Sequence, residues 1–270
     1  MWIVWLLVVL AVLAALYIFA IAPKKWKGDV LGGQTLYAHR GLFNNEDIPE
    51  NSLPAFRRAV EKGYGIELDV HITADGKLIV FHDDDLKRMC GVSGAPEKSD
   101  FEALTHTPLI GTQHCIPSFE QVLATVDGKV PLIVEIKGLN FDVSVCEKTA
   151  EMLDGYHGAY CIESFNPMYV RWFKKNRPHV MRGQLTGHRT RAGAPFGERV
   201  RDVLLRGLML DFLSRPHFVA IRRTYAHRLS FRLTKRMGAV PVAWTVRSPQ
   251  ELEQDRHVFK LLIFERFEAK

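Results

Sequence analysis

From Leu36 to the C-terminus, short apolar runs rich in β-branched residues alternate with longer amphipathic stretches. The strand-like runs are 36–39, 65–70, 78–81, 131–136, 159–163, 181–185, 208–212, 241–246 and 260–264. Helical patterns lie at 52–62, 119–126, 143–153, 168–175, 198–206, 226–237 and 249–255, and Asn51, Ser118, Asn166 and Ser248 precede four of them as N-cap candidates. Strands that are apolar at nearly every position are covered on both faces, which predicts a parallel sheet wrapped by helices. About eight such units in roughly 240 residues favour a (β/α)8 TIM barrel over an open doubly wound sheet. Residues 84–117 break the rhythm with Pro, Gly, Ser and charges. They read as a small inserted subdomain in a βα loop, on the face where barrel loops build binding sites.

Ahead of the barrel lies a different kind of segment. Residues 2–22 carry no charge, and Pro23 with Lys24, Lys25 and Lys27 closes them. As a helix this run rises about 31 Å, matching a hydrocarbon core of about 30 Å. Ala20-Ile21-Ala22 resembles a signal-peptide cleavage site. Against cleavage, no basic residue precedes the run, it exceeds the usual apolar core of about 7–15 residues, and Pro23 would follow the cut. The expectation is an uncleaved single-pass anchor at 1–23, a basic juxtamembrane linker at 24–34 and the barrel at 35–270. The lysines after the span place the barrel on the cytoplasmic side of the cell membrane by the positive-inside rule. Cys90, Cys115, Cys146 and Cys161 show no metal-like spacing and fit a reducing compartment. With 24% charged and 10% aromatic residues the chain is not disordered. Without the anchor its composition is that of a soluble domain, which excludes a multi-span membrane protein.

The net charge of +6 is lopsided, for residues 171–236 hold 14 Arg and three Lys against Glu198, Asp202 and Asp211. Such a segment either attracts anionic lipid beside the anchor or disperses its arginines toward solvent on outer helices. The second reading is preferred, since nothing in the sequence puts the charges on one face. No nucleic-acid motif accompanies them, so neither a nucleic acid nor a protein partner is expected.

Polar residues cluster where barrel strands end: His39-Arg40-Gly41, Pro49-Glu50-Asn51, Glu67-Leu68-Asp69-Val70, His82-Asp83 and Glu135-Ile136-Lys137. A core gains nothing from polar groups there, so they read as catalytic. Alternation along a strand points Glu67 and Asp69 the same way, and Glu135 reaches that mouth from the neighbouring strand. Three carboxylates at one point call for a cation, and oxygen ligands suit Mg²⁺ or Ca²⁺. The alternative is salt bridging to interior Lys or Arg. His39 and His82 fit an acid–base pair, since imidazole titrates near neutrality. Arg40 and Lys137 add positive charge suited to a phosphodiester anion. His71 continues the Glu67–Asp69 face and is a weaker candidate.

These motifs, with Thr73-Ala74-Asp75-Gly76, Leu86, Arg88, Ser164-Phe165 and Trp244-Thr245-Val246, resemble the glycerophosphodiester phosphodiesterase family, membrane-anchored bacterial type. The resemblance implies a TIM barrel with a small subdomain after His82, and metal-dependent hydrolysis of glycerophosphodiesters to glycerol 3-phosphate and an alcohol. By position it implies Glu67, Asp69 and Glu135 as ligands of one divalent cation, Mg²⁺ or Ca²⁺. It implies His39 and His82 as the acid–base pair, Arg40 and Lys137 as phosphate contacts, and Glu50 and Trp244 as site-lining residues. The chain departs from the family at Ser52 and Cys90, where Thr is common, and at Ile263-Phe264-Glu265-Arg266-Phe267, which replaces a Thr-Asp-x-Pro element. Two other functions are kept in view. One is lysophospholipase D-like cleavage of lysophospholipids at the bilayer, which residues 2–22 would contact. The other is a non-catalytic membrane-bound barrel that only binds a ligand.

Overall fold

The computed structural model describes residues 1–138, 140–187 and 195–269. Its strands are β1 Leu36–His39, β2 Gly65–Ile72, β3 Leu78–Val80, β4 Leu132–Ile136, β5 Tyr160–Ser164, β6 Met181–Thr186, β7 Phe218–Arg222, β8 Val240–Val246 and β9 Leu261–Phe264. The order β1-β9-β8-β7-β6-β5-β4-β2, closed by pairing of β1 with β2, makes an eight-stranded parallel barrel. β3 folds back antiparallel on β2, with Val70 opposite Val80. The expected TIM barrel is therefore present.

The α-helices are α1 Trp2–Ile21, α2 Leu53–Glu61, α3 Lys87–Cys90, α4 Phe101–Thr105, α5 Phe119–Val126, α6 Ser144–Asp154, α7 Pro167–Asn176, α8 Phe196–Arg206, α9 Asp211–Ser214, α10 Leu229–Arg236 and α11 Pro249–Asp255. Alternation along each strand separates two apolar layers. Leu68, Val70, Val134, Ile162 and Val219 face outward against helix residues such as Phe56, Val122, Phe173 and Phe231. Tyr37, Ile133, Cys161, Phe218 and Leu261 point inward and fill the base of the barrel. The mouth above them is left to polar side chains.

The caps show how local chemistry sets these helices. Ser118 accepts from the Gln121 amide, and the Gln121 side chain returns the bond to the Ser118 amide. Asn166 and Ser248 cap α7 and α11 as expected. Asn51 does not cap α2. Ser52 does, accepting from Ala55 N–H, which frees the Asn51 side chain to turn inward.

One expected strand is wrong. Residues 208–212 form a turn and the start of α9, and the seventh strand of the chain is β7, ten residues later. Both runs are short and apolar, and a run of that kind does not reveal its secondary structure by periodicity. Leu208 is buried among helix residues instead. The inserted segment has its own small apolar cluster, in which Ile79, Phe81, Leu86, Met89, Leu104, Leu109 and Ile116 pack together.

Residues 24–34 lie across the base rather than standing off it. Lys24 N–H donates to Pro216 O at 2.9 Å, the Trp26 ring sits 4.7 Å from His217, and Leu31 is buried in the interior cluster. The last turn of α1 is held as well. Arg215 donates to the carbonyls of Phe19 and Ala22 at 2.8 and 2.9 Å, and Ile21 is buried. The helix before this turn is exposed and apolar, and Trp2–Ile21 as a whole is long and apolar enough to cross a membrane. The basic segment 171–236 is dispersed. Arg177, Arg206 and Arg223 pair with Asp154, Asp202 and Asp255, and Arg182 is buried. Arg189 and Arg191 lie outside the described residues.

Candidate active site at the barrel mouth

Strand register assembles the carboxylates. His39 stands opposite Glu67 across β1 and β2, Asp69 opposite Glu135 across β2 and β4, and Glu135 opposite Glu163 across β4 and β5. One oxygen each from Glu67, Asp69 and Glu135 falls within 4.8 Å of the others, and all three residues are buried. Glu67 and Glu135 line a cavity of about 560 Å³, and Asp69 is buried beside them.

A tight turn brings the next groups in. Arg40 and Gly41 both have left-handed φ, at 55° and 80°. A Cβ at Gly41 would lie 2.8 Å from Ala55 Cβ and 2.9 Å from the Ala55 carbonyl carbon, so only glycine lets the turn close on α2. The turn aims the Arg40 amide at Glu67 Oε2, at 3.1 Å. The Arg40 guanidinium donates to Glu50 Oε1 at 2.6 Å and lies 3.6 Å from Asp69. Lys137 Nζ lies 2.9 Å from Glu135 and 3.2 Å from Asp69. Asn51 Nδ2 donates to Asp69 Oδ2 at 2.8 Å. The salt-bridged arrangement and the metal-like cluster thus coexist on the same carboxylates.

Charge in the cavity is unbalanced. Its lining carries Glu50, Glu67, Asp83, Asp84, Asp85, Glu135, Glu163 and Glu265 against Arg40, Arg88, Lys137, Arg247 and Arg266. The imbalance divides the carboxylates. Burial, then the charges of Asp69, Glu135 and Glu163, push Glu67 well above the usual carboxylate range. Burial raises Glu163 too, helped by Glu135 and Asp69. Asp69 goes the other way, because Lys137, His82 and Arg40 outweigh its burial. A dication among these oxygens would offset the repulsion that raises Glu67, so the donor set fits a hard divalent metal.

Each histidine of the expected pair has a carboxylate behind it. His39 Nδ1 lies 2.6 Å from Glu265 Oε2, leaving Nε2 on the Glu67 side at 3.8 Å. His82 Nδ1 lies 2.6 Å from Asp83 Oδ1. Arg88 from the inserted segment fixes Asp83 and Glu50 together, donating to both from one guanidinium at 2.6 Å. Burial, then the Arg40 charge, lower the His39 pKa, favouring its neutral form. Trp244 lines the cavity beside Phe165, with ring centroids 5.9 Å apart. His71 is absent from the lining. It is buried behind the site, with Nε2 3.4 Å from the His82 carbonyl, and burial holds its pKa at about 4.

Residues 39–263 match the Glycerophosphoryl diester phosphodiesterase family. The chain belongs to that family. As a glycerophosphoryl diester phosphodiesterase it is a phosphoric diester hydrolase, and its relatives include bacterial and mammalian proteins. YhdW of Bacillus subtilis is 29% identical over 223 residues, covering 79% of this chain and 86% of the relative. The glycerophosphodiester phosphodiesterase of Caldanaerobacter subterraneus is 33% identical over 159 residues, covering 55% of this chain and 65% of the relative. Among solved structures, a phosphodiesterase of Oleispira antarctica in complex with the product sn-glycerol-3-phosphate superposes with a TM-score of 0.68 at 20% identity, over 86% of this chain and 92% of that one. That likeness is one of fold.

Sequence reading missed two groups in this candidate site. Glu163 follows Cys161 and Ile162 on β5, and the same alternation that picked out Glu67 and Asp69 points it inward. Glu265 stands out in the sequence only as a departure from a motif, yet it holds His39. Asn51, in the Pro49-Glu50-Asn51 cluster and also a cap candidate, supports Asp69 and not the helix.

Proposed function

We propose that the chain hydrolyses glycerophosphodiesters to glycerol 3-phosphate and an alcohol, with one divalent cation, Mg²⁺ or Ca²⁺, held by Glu67, Asp69 and Glu135. The observation that carries this reading is a three-carboxylate cluster flanked by two imidazoles, each backed by its own carboxylate, around one cavity. The bound cation supplies Lewis-acid polarisation of the phosphoryl oxygens and offsets the negative charge of the lining.

The chain's own groups do the rest. Arg40 and Lys137 border the cavity beside the carboxylates and contact the phosphoryl oxygens. Neutral His39 takes a proton at Nε2 from the water that forms the new P–O bond as the P–O bond to the alcohol breaks, since Glu265 occupies Nδ1. His82 gives a proton to the departing alcohol oxygen from the nitrogen that Asp83 does not hold. Trp244 and Glu50 line the walls and set the substrate's place. His71 acts only through the His82 backbone. The product in the Oleispira complex supports glycerol 3-phosphate as the released phosphate.

The full chain incubated with glycerophosphocholine and a divalent cation should release choline and glycerol 3-phosphate. Release of phosphocholine and glycerol instead, or of neither pair, would refute the reading.

Glu265 provides a finer test. Its hydrogen bond and charge raise the His39 pKa against burial, so Glu265→Gln lowers that pKa further. A base of lower pKa stays neutral to lower pH. The acidic limb of the kcat/KM profile should therefore move to lower pH, with kcat reduced by about tenfold, within the range that acid–base catalysis supplies. An unmoved limb would remove Glu265 from this role.

The same reading takes α1 as an uncleaved anchor, with the barrel on the cytoplasmic side of the cell membrane. Burial of Ile21 and the Arg215 bonds to the Phe19 and Ala22 carbonyls support retention, because cleavage after Ala22 would discard packed residues.

A further inference from the structure

The path of α1 along the barrel fixes which end of the barrel it leaves. Lys25 packs on Gly238, at the base end of α10, where a Cβ would lie 2.7 Å from the lysine chain. Tyr17 lies beside Leu229 and Ser230, the first residues of α10, at its mouth end. From Tyr17 to Lys25 the chain therefore runs beside α10 from mouth to base. Residues 2–16, N-terminal to this mouth-end contact, continue the helix and are exposed.

The rim carries exposed apolar side chains among its charged ones. Phe141, Phe196, Leu229 and Ile110 are 84%, 82%, 63% and 59% exposed. They come from four different connections at the C-terminal ends of the strands: β4 to α6, β6 to α8, β7 to α10, and the segment after β3. Among the described residues, the αβ turns at 62–64, 127–131, 155–159 and 177–180 expose no large aliphatic or Phe side chain, and the connection before β7 exposes Phe212, 38% accessible beside Phe19 of α1. Leu229 also lines a hollow with Tyr17 and Val203, which Arg206 and Arg228 border, so α1 adjoins the rim there.

We propose that the bilayer entered by α1 lies across the barrel mouth, and that Ile110, Phe141, Phe196 and Leu229 dip into its interface. The site then takes a single-chain glycerophospholipid from the membrane with its phosphodiester directed down to the carboxylate floor. This inference rests on reading α1 as an anchor and the mouth as a phosphodiester-cleaving site.

The test uses the full chain in vesicles of phosphatidylcholine and phosphatidylglycerol containing a phosphatidylcholine with a photoactivatable acyl chain. Adducts are expected on α1 and on peptides bearing Ile110, Phe141, Phe196 and Leu229, with none on the base turns. Adducts on α1 alone, or on α1 and the base, overturn the proposal and leave the anchor reading standing. No adduct on α1 overturns both. Labelling requires no turnover, so it stays readable if the hydrolysis reading fails. In the same vesicles, the combined variant Ile110→Ser, Phe141→Ser, Phe196→Ser, Leu229→Ser should lose about tenfold in kcat/KM on lysophosphatidylcholine through lost burial. Its turnover of soluble glycerophosphocholine should stay unchanged. Equal rates on both substrates before and after substitution, or equal losses on both, would contradict a membrane-docked rim.

Discussion

His39→Ala and His82→Ala should each lower kcat on glycerophosphocholine by about 10²–10⁴-fold, the contribution of a positioned acid or base. The two imidazoles are placed for this by separate devices. Glu265, itself held at about 2 by hydrogen bonds from His39 and Arg247 that outweigh its burial, fixes one nitrogen of His39. Asp83 fixes one nitrogen of His82 and is in turn held by Arg88. Each carboxylate keeps its arginine when the histidine is removed, so neither variant leaves a buried charge without a partner. Circular dichroism and the melting midpoint should stay near those of the parent. Neither histidine belongs to the carboxylate cluster, so the affinity for the cation should also stay. A variant that retains full turnover would remove that histidine from the chemistry.

What the sequence revealed about this site follows from one rule. A strand enclosed on both faces has no structural use for a carboxylate near its C-terminal end, so Glu67, Asp69 and Glu135 stand out against Leu68, Val134 and Ile136. Glu163 obeys the same rule but was hidden by its single occurrence on β5. Glu265 was harder to read, because it belongs to a loop and its partner lies 226 positions away. No local pattern encodes that distance. The misplaced seventh strand has a related cause. Leu208–Leu210 and Phe218–Ile221 are equally apolar, and only packing decides that the first closes α8 while the second joins the barrel. Legibility thus ends where contacts between distant segments choose among locally equivalent options.

Asp69→Asn should weaken binding of the divalent cation by more than the 10–100-fold typical of losing a supporting residue, because it removes a direct oxygen ligand. It is the strongest anion of the cluster, the one carboxylate that Lys137, His82 and Arg40 hold well below the usual range while burial lifts Glu67 and Glu135. The substitution also strips a partner from Lys137 and Arg40, so the phosphate contacts lose their fixed places. Titration calorimetry with Mg²⁺ and Ca²⁺ reads the first effect directly. A comparison with Glu163→Gln separates the cluster from its neighbour. Glu163 faces the same cavity but lies outside the three-oxygen set, so its loss should change affinity far less.

The central claim is that this mouth cleaves phosphodiesters only with a divalent cation among Glu67, Asp69 and Glu135. The most direct measurement is release of glycerol 3-phosphate from glycerophosphocholine by the full chain, followed before chelation, after chelation, and after return of Mg²⁺ or Ca²⁺. The account predicts turnover that falls to background with the chelator and recovers with one of the two ions in the parent, but not in Asp69→Asn. Turnover undiminished by complete removal of metal would contradict it.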